Sequence, residues 1–253
     1  MTDTPVMPPA PPRRIRFDLL PWVIVQPRRA FEEIAGLKGG GWVAPMLVLT
    51  VAAAVLVIAT RAVTPLPDMA VPVEGFTPTP EQEAQMVQAA QMASSPIFTV
   101  LSVIGQGISL WLSWLVLGGV LHLALTLMGG RGGVGRSMGL AAWAMIPFSV
   151  RDVVRIVATL VASQPILAPG ISGFAPADAA GVLLLVAALM RQIDLFVVWH
   201  IALLIIGAHA LDSSLPRVRA AVVLTVLVAI LLLIWSVPTF LSGLAGTMLG
   251  GDI

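Results

Sequence analysis

The chain predicts an all-α integral membrane bundle of five transmembrane helices with a short N-terminal interfacial helix, and three observations carry that prediction. Hydrophobic residues make up 58% of the 253 and charged residues only 11%, with a mean hydropathy of +0.97. An average soluble domain is roughly 25% charged. Five apolar stretches each approach or exceed the roughly 20 residues needed to cross a hydrocarbon core about 30 Å thick. Basic residues, finally, fall on alternate connections between those stretches.

Residues 1–25 form a Pro-rich N-terminal tail, with Pro5, Pro8, Pro9, Pro11 and Pro12 in its first dozen positions excluding a helix there. The apolar "LLPWVIV" is too short for a signal peptide, is broken by Pro21 and has no small-residue cleavage site nearby. Residues 26–40 predict a cytoplasmic interfacial amphipathic helix: Pro27 suits a first helical position, and Phe31, Ile34 and Leu37 share one side. Arg28, Arg29, Glu32 and Glu33 lie elsewhere on it, and Trp22 and Trp42 suit the membrane boundary.

Residues 41–250 then hold the five-helix transmembrane domain, with spans at about 41–63, 97–128, 137–162, 179–211 and 218–248. The second, fourth and fifth exceed a perpendicular crossing at about 1.5 Å per residue, so they tilt, kink or project into the headgroups. Pro147 and Pro238 remove backbone donors inside the third and fifth spans; such kinks persist when neighbours satisfy the freed carbonyl. After Pro238 the fifth helix is expected to bend along the interface. Between the first two spans, "EQEAQMVQAAQMA" has helix-forming composition, with Glu81 and Glu83 at the end where the helix dipole favours anions and Met86, Ala89, Ala90 and Ala93 as a weak stripe.

The N-terminal segment carries Arg13, Arg14, Arg16, Arg28, Arg29 and Lys38; the loop after span two carries Arg131 and Arg136; the loop after span four carries Arg217 and Arg219. Stretches 64–96 and 163–178 have no Lys or Arg, and the first holds Asp68, Glu74, Glu81 and Glu83. The positive-inside rule therefore puts the N-terminus in the cytoplasm and the C-terminus outside. The resulting localisation is the plasma membrane, the inner membrane of a bacterium.

Several function classes fall away. No cysteine is present, which excludes disulfides, thiolate metal sites and cysteine nucleophiles. A net charge of +1 gives no basis for binding nucleic acid. In "GGRGGVGRS", Gly130, Gly135, Arg136 and Ser137 nearly spell a P-loop, and Gly130, Gly132 and Gly135 match G-x-G-x-x-G. Both motifs need a strand before them and a soluble α/β unit around them, whereas this loop joins two membrane helices and has Arg where a P-loop has Lys. It is read as a basic turn, with no nucleotide and no cofactor; Arg131 and Arg136, like Arg28 and Arg29, are candidates for lipid headgroup contact. His122, His200 and His209 lack metal-ligand spacing, and no serine sits in a nucleophile elbow, so no catalytic or metal residue is assigned and the chain is read as non-enzymatic. Trp111, Trp114 and Trp199 fall inside spans and are expected to pack; Ser242, Gly246 and Gly250 recur every four residues, allowing close helix contact.

An intramembrane charge cluster is the strongest candidate site. Arg151, Asp152 and Arg155 lie in span three, Arg191 and Asp194 in span four. Each costs about 2.5 to 3.5 kcal/mol on insertion scales, so these groups face the bundle interior and pair. Counting residues puts Arg151, Asp152 and Asp194 near mid-depth, with Arg155 and Arg191 a turn further out. Asp152 with Arg155, and Arg191 with Asp194, can pair at i, i+3, and Arg151 with Asp194 across helices. Two readings stay open: a network that fixes helix packing, or a surplus cation that meets an anionic substrate, lipid phosphate or water.

The order of "QPRRAFEEIAG", "GWVAPML", "GGVGRSMGLAAWAMIPFSV", "IDLFVVWHIALLIIGAHAL" and "RVRAAVVLTVLVAILLL" resembles the Yip1 domain family, especially its bacterial members, over roughly residues 26 to 235. The resemblance implies a multi-pass membrane protein with a cytosolic N-terminus. In eukaryotic relatives it implies roles in vesicle traffic, membrane shaping and Rab GTPase binding; a bacterial relative has no Rab partner. Two functions follow as expectations. The first is a non-enzymatic Yip1-type protein organising membrane components, with the bilayer, other membrane proteins or a second copy as partners. The alternative is a small permease or channel component for a polar or anionic solute.

The charge distribution generates a topology test. In a cysteine-free chain, Ser94→Cys and Ser172→Cys should each react with an impermeant thiol reagent only from the side opposite the N-terminus; labelling of either from the N-terminal side overturns the five-span order.

Overall fold

The computed structural model describes residues 15–37, 41–64, 79–166, 168–176 and 179–250. The prolines of residues 1–14, Lys38, Asp68 and Glu74 lie outside them, as do the side chains of Met86, Ala90, Ala93 and Gly250. The described residues are all-α, with no strand among them. The helices are α1 (Leu20–Val25), α2 (Pro27–Ala35), α3 (Val43–Val63), α4 (Pro80–Ser94), α5 (Pro96–Leu127), α6 (Val134–Ala144), α7 (Ile146–Ala162), α8 (Val182–Met190), α9 (Leu195–Leu211) and α10 (Arg217–Gly250).

Three helices, α3, α5 and α10, are long and apolar enough to cross a membrane. The pair α8 and α9, bent by 70° at a short break, passes the same test when taken together, as a broken span or a re-entrant loop, so the described residues hold three to four candidate crossings. The stretches 137–162 and 179–211, read from sequence as continuous spans, are therefore each two helices. Pro147 explains the first break. It carries no N–H, and Phe148 N–H bonds the Met145 carbonyl at 2.9 Å instead of continuing the α-helical ladder, which leaves the Ala144 carbonyl open. His200 Nδ1 fills it at 2.7 Å.

At the second break, Met190 and Ile193 carbonyls both accept from Ile171 N–H at 3.1 Å. Gly170 makes this close approach possible: its φ is +66°, and a Cβ there would meet the Ile193 and Met190 carbonyl oxygens at 2.7 Å. Pro238, by contrast, sits inside a helix that continues to Gly250.

The N-terminal helices differ from expectation in two ways. Residues 17–25, read as tail, form a 3₁₀ turn and α1, with Leu19 and Val23 buried in the core. On α2 the expected apolar face is present, but it is turned to protein: Ala30, Phe31 and Ile34 are buried. The reason is a socket on α9, where Gly207 has no side chain and the Phe31 ring and Leu140 occupy the space. Arg16 ties the assembly, its Nη2 lying 2.8 Å from both Asp18 Oδ2 and Glu33 Oε2.

The core occupies the end of the bundle that carries α1 and α2, here termed proximal. It is built from α6, the C-terminal half of α5, α9 and the first half of α10. Trp42, Trp111 and Trp114 form a cluster with ring centroids 5.0 to 5.9 Å apart, so Trp42 packs on the spans. The glycine loop is a helix stop: Gly129, at φ +95°, donates to Thr126 O and Gly130 to Leu125 O, both at 2.9 Å. This is the Schellman arrangement, which accounts for Gly129 and Gly130. Thr79 and Gln82 form a capping box at the start of α4. Gly246 has open space around its Cα, and Ser242 beside it is exposed.

Overpacking a core typically costs about 1 to 3 kcal/mol, so Gly207→Val should lower thermal stability in detergent by that order and release α2 to proteolysis. Gly246→Val should leave both unchanged; equal effects of the two would refute the socket.

Candidate functional site

Arg151 and Asp152 project from α7 one turn after the Pro147 break, and Asp194 begins α9 after the second break. Asp194 has two tasks. Its Oδ1 accepts from Val197 N–H at 3.0 Å, capping α9, while its Oδ2 lies 3.7 Å from Arg151 Nη1 and 3.8 Å from Arg155 Nη2. Asp152 makes its ion pair with Arg151, at 3.7 Å, and not with Arg155. Arg191 and Asp194 fall on either side of the break, as the C-cap of α8 and the N-cap of α9.

All three ion pairs are longer than hydrogen-bond distance. Arg151 Nε is buried and has no hydrogen-bond partner. The Arg151 guanidinium instead lies 4.7 Å above the Phe148 ring, which in turn packs on His200 with centroids 4.9 Å apart. A carbonyl only accepts, so His200 Nδ1 carries the proton toward Ala144 and Nε2 is left as the acceptor.

These side chains line a cavity of about 1220 Å³ bounded by α3, α5, α7, the α8–α9 break and α10. Its volume exceeds the roughly 300 to 1,000 Å³ of pockets that hold drug-sized molecules. Arg151, Asp152, Arg155, Arg191 and His200 all reach it. Gln192 also lines it and is fixed by bonds from Nε2 to Ser236 Oγ at 2.7 Å and Leu232 O at 3.2 Å. Non-helical backbone at membrane depth is tolerated where it is buried in protein or lines a cavity, and the second break does both.

Sequence reasoning missed one face and one cation. Ser102, Gln106, Ser109 and Ser113, spaced four, three and four along α5, all face the cavity. That polar stripe on an otherwise apolar helix was legible as a period near 3.6. Arg61, two residues from the end of α3, also lines the cavity; its Nη2 bonds Ser102 Oγ at 2.9 Å and its guanidinium sits 4.7 Å over Phe98. Arginine inside the first apolar stretch was the available signal.

The other candidates lie elsewhere. Arg28 and Arg29 are exposed on α2, with Arg29 stacked 4.7 Å over Trp22. Arg131 and Arg136 are exposed on and just after the α5–α6 loop, at the same proximal end. Asp212 anchors that end: it accepts from Ser214 Oγ and from the Ser214 and Arg131 N–H groups, at 2.5, 3.0 and 3.4 Å. The Ser214 hydroxyl, above all, holds its carboxyl below the usual range. His122 faces Ser137 and His209 faces Arg217, at 3.4 and 3.3 Å, so the histidines do not converge.

Fold and cavity together define a helical membrane protein with an arginine-lined chamber between its apolar helices. The chain belongs to the Yip1 domain family: the family model matches residues 23–238, from α1 through Pro238 and so across every helix that bounds the chamber. No curated protein and no solved structure gives a significant match.

Asp194→Asn keeps the helix cap and removes the charge, whereas Asp194→Ala removes both, so the alanine variant should be about 1 kcal/mol less stable than the asparagine variant. Both losses should fall below the roughly 3 to 5 kcal/mol of a sealed ion pair. In a thermal double-mutant cycle, Arg151→Met combined with Asp194→Asn should cost less than the sum of the single changes; strict additivity would refute the pairing.

Proposed function

We propose that this Yip1-family protein is a non-enzymatic, five-crossing membrane protein that receives an anionic ligand in its chamber. The third crossing is made by α6 with α7 and the fourth by α8 with α9. In this reading the proximal end faces the cytoplasm of a bacterium, where Arg28, Arg29, Arg131 and Arg136 meet anionic headgroups, and the chamber mouth faces outward.

The observation that carries the reading is the cavity itself, which is lined by Arg61, Arg151, Arg155 and Arg191 together with Asp152, with Asp194 behind it paired to Arg151 and Arg155. A scaffold needs no such volume, and a purely structural charge network favours short, fully satisfied bonds over pairs at 3.7 to 3.8 Å. Broken helices with unwound backbone near mid-depth also recur at solute sites of transporters. The proximal core closes the chamber floor, which supports one-sided capture in this conformation rather than an open channel. An organising role has its own support in Ser242 and Gly246, exposed on one face of α10 and small enough for close approach by a partner helix.

Thiol accessibility separates the two. In vesicles of phosphatidylcholine, Ser113→Cys should react with small water-soluble thiol reagents, and the ratio of anionic to cationic reagent rates should exceed that of the exposed Ser94→Cys severalfold, as focused positive potential requires. Complete protection of Ser113→Cys in the folded protein would favour a sealed scaffold.

A further inference from the structure

Resting on the proposed anion-receiving chamber, we propose that Asp152 is a proton-binding site coupled to that ligand: the anion enters with one proton, which Asp152 takes from the chamber side, and Arg151 is thereby released to the ligand.

The charges at the base of the chamber are balanced before anything enters. Arg151 and Arg155 on α7 face Asp152 and Asp194, with 3.7 Å from Arg151 to each carboxylate and 3.8 Å from Arg155 to Asp194. Arg61 is bonded to Ser102 Oγ and stacked over Phe98, and Arg191 is the C-cap of α8, so neither enters this count. An anion added to a neutral cluster at membrane depth brings a charge without a partner, which is costly there. Neutralising one carboxylate removes that net charge and, with it, the repulsion between ligand and carboxylate. Among the described residues, α5 and α10 bring no charged side chain to the cavity. Arginine keeps its charge, so the groups at this level that can hold the proton are Asp152, Asp194 and His200.

The geometry selects Asp152. Asp194 lies behind the chamber lining, and its two oxygens are already divided: Oδ1 accepts from Val197 N–H at 3.0 Å and Oδ2 faces two arginines. His200 is buried with its Nδ1 bonded to the Ala144 carbonyl, and a second proton would add a cation to a ring already packed, through Phe148, close to Arg151. Asp152 lines the chamber, is 8% exposed, sits inside α7 where it caps no helix, and meets Arg151 Nε at 3.7 Å, beyond hydrogen-bond distance. That Nε is buried without a hydrogen-bond partner, so an acceptor arriving from the chamber satisfies it as Asp152 gives up its charge.

A route for the proton lies on the facing wall. Ser102, Gln106, Ser109 and Ser113 form a polar ladder along α5, about 17 Å long at roughly 1.5 Å per residue. Hydroxyl and amide groups both donate and accept, as a relay through water requires. The ladder leads to the distal end, where Thr64 lines the chamber and is exposed. On the proximal side Leu117, Met145 and Val228 line the chamber as buried apolar residues, so the path opens distally.

The test uses the full chain with Ser113→Cys in phosphatidylcholine vesicles and two methanethiosulfonates of similar size, one bearing a sulfonate and one a trimethylammonium group. Both react with the thiolate, so their rate ratio cancels the ionisation of the cysteine itself. Normalised to Ser94→Cys, the anionic-to-cationic ratio should rise about fivefold as the pH falls from about 8 to about 5, because a protonated Asp152 leaves Arg151 unopposed. Asp152→Asn, or Asp152→Ser should the first not fold, should hold the ratio at its high value throughout, whereas Asp152→Glu and Asp194→Asn should keep the rise. A ratio above that of Ser94→Cys but independent of pH would overturn the proton coupling and leave the anion chamber standing. A rise that survives in Asp152→Asn or Asp152→Ser would overturn Asp152 as the site and move the proton to His200. A ratio no higher than that of Ser94→Cys at any pH, in the parent and in the Asp152 variants alike, removes the anion reading on which the proposal rests.

Discussion

The hydrogen bond from His200 Nδ1 to the Ala144 carbonyl, at 2.7 Å, is the contact on which the chamber depends. Within a bilayer an open carbonyl costs several kcal/mol, so the break before Pro147 is tolerable only because α9 supplies a donor at that level. The bond fixes α9 against the α6–α7 junction. Once those helices are in register, Arg151, one turn past Pro147, necessarily lies near Asp194, at the start of α9. Phe148 completes the link, lying between the His200 ring and the Arg151 guanidinium.

A second constraint acts at the α8–α9 bend. There the chain turns by 70°, and the freed carbonyls of Met190 and Ile193 are met by Ile171 N–H from the preceding loop. Gln192 holds the bend to α10, and Asp194 spends one carboxylate oxygen on capping α9. The other oxygen is shared between two arginines at distances that leave their N–H groups with donor capacity to spare. The cluster is thus held in position by backbone and cap geometry, with ion pairs of Arg151 and Arg155 at 3.7 to 3.8 Å. The cost of arranging the charges is thus borne by the fold, which is what the proposed anion site draws on.

The distribution of basic residues shows the same division of labour. Ten of the fourteen Lys and Arg residues occupy the N-terminal segment and the two basic loops, the distribution from which the positive-inside rule reads an orientation. The four that remain, Arg61, Arg151, Arg155 and Arg191, all line the chamber. Arg61, Arg151 and Arg155 are partly buried there, as the cost of an isolated charge in hydrocarbon favours.

Composition and the spacing of apolar stretches determined by themselves that this is a helical membrane protein, because a bilayer admits few other ways to satisfy a backbone. The order of its short motifs was enough to recognise the Yip1 domain family. The presence of charges in the apolar stretches 137–162 and 179–211 was equally plain, as was the Pro147 defect. What those local signals could not decide was direction. Residues 17–25 and the apolar face of α2 carry nothing that distinguishes lipid from protein as their partner; for Phe31 on α2 the Gly207 socket, some 170 positions away in the chain, made that choice. The bend between Arg191 and Asp194 contains neither proline nor glycine, and it depends on Ile171 N–H and Gly170 arriving from another segment. Arg61 and the α5 stripe were visible as residues but became part of one site only when α3, α5, α7 and α10 enclosed a common volume. Periodicity specifies which side of a helix is polar, and only packing specifies what that side faces.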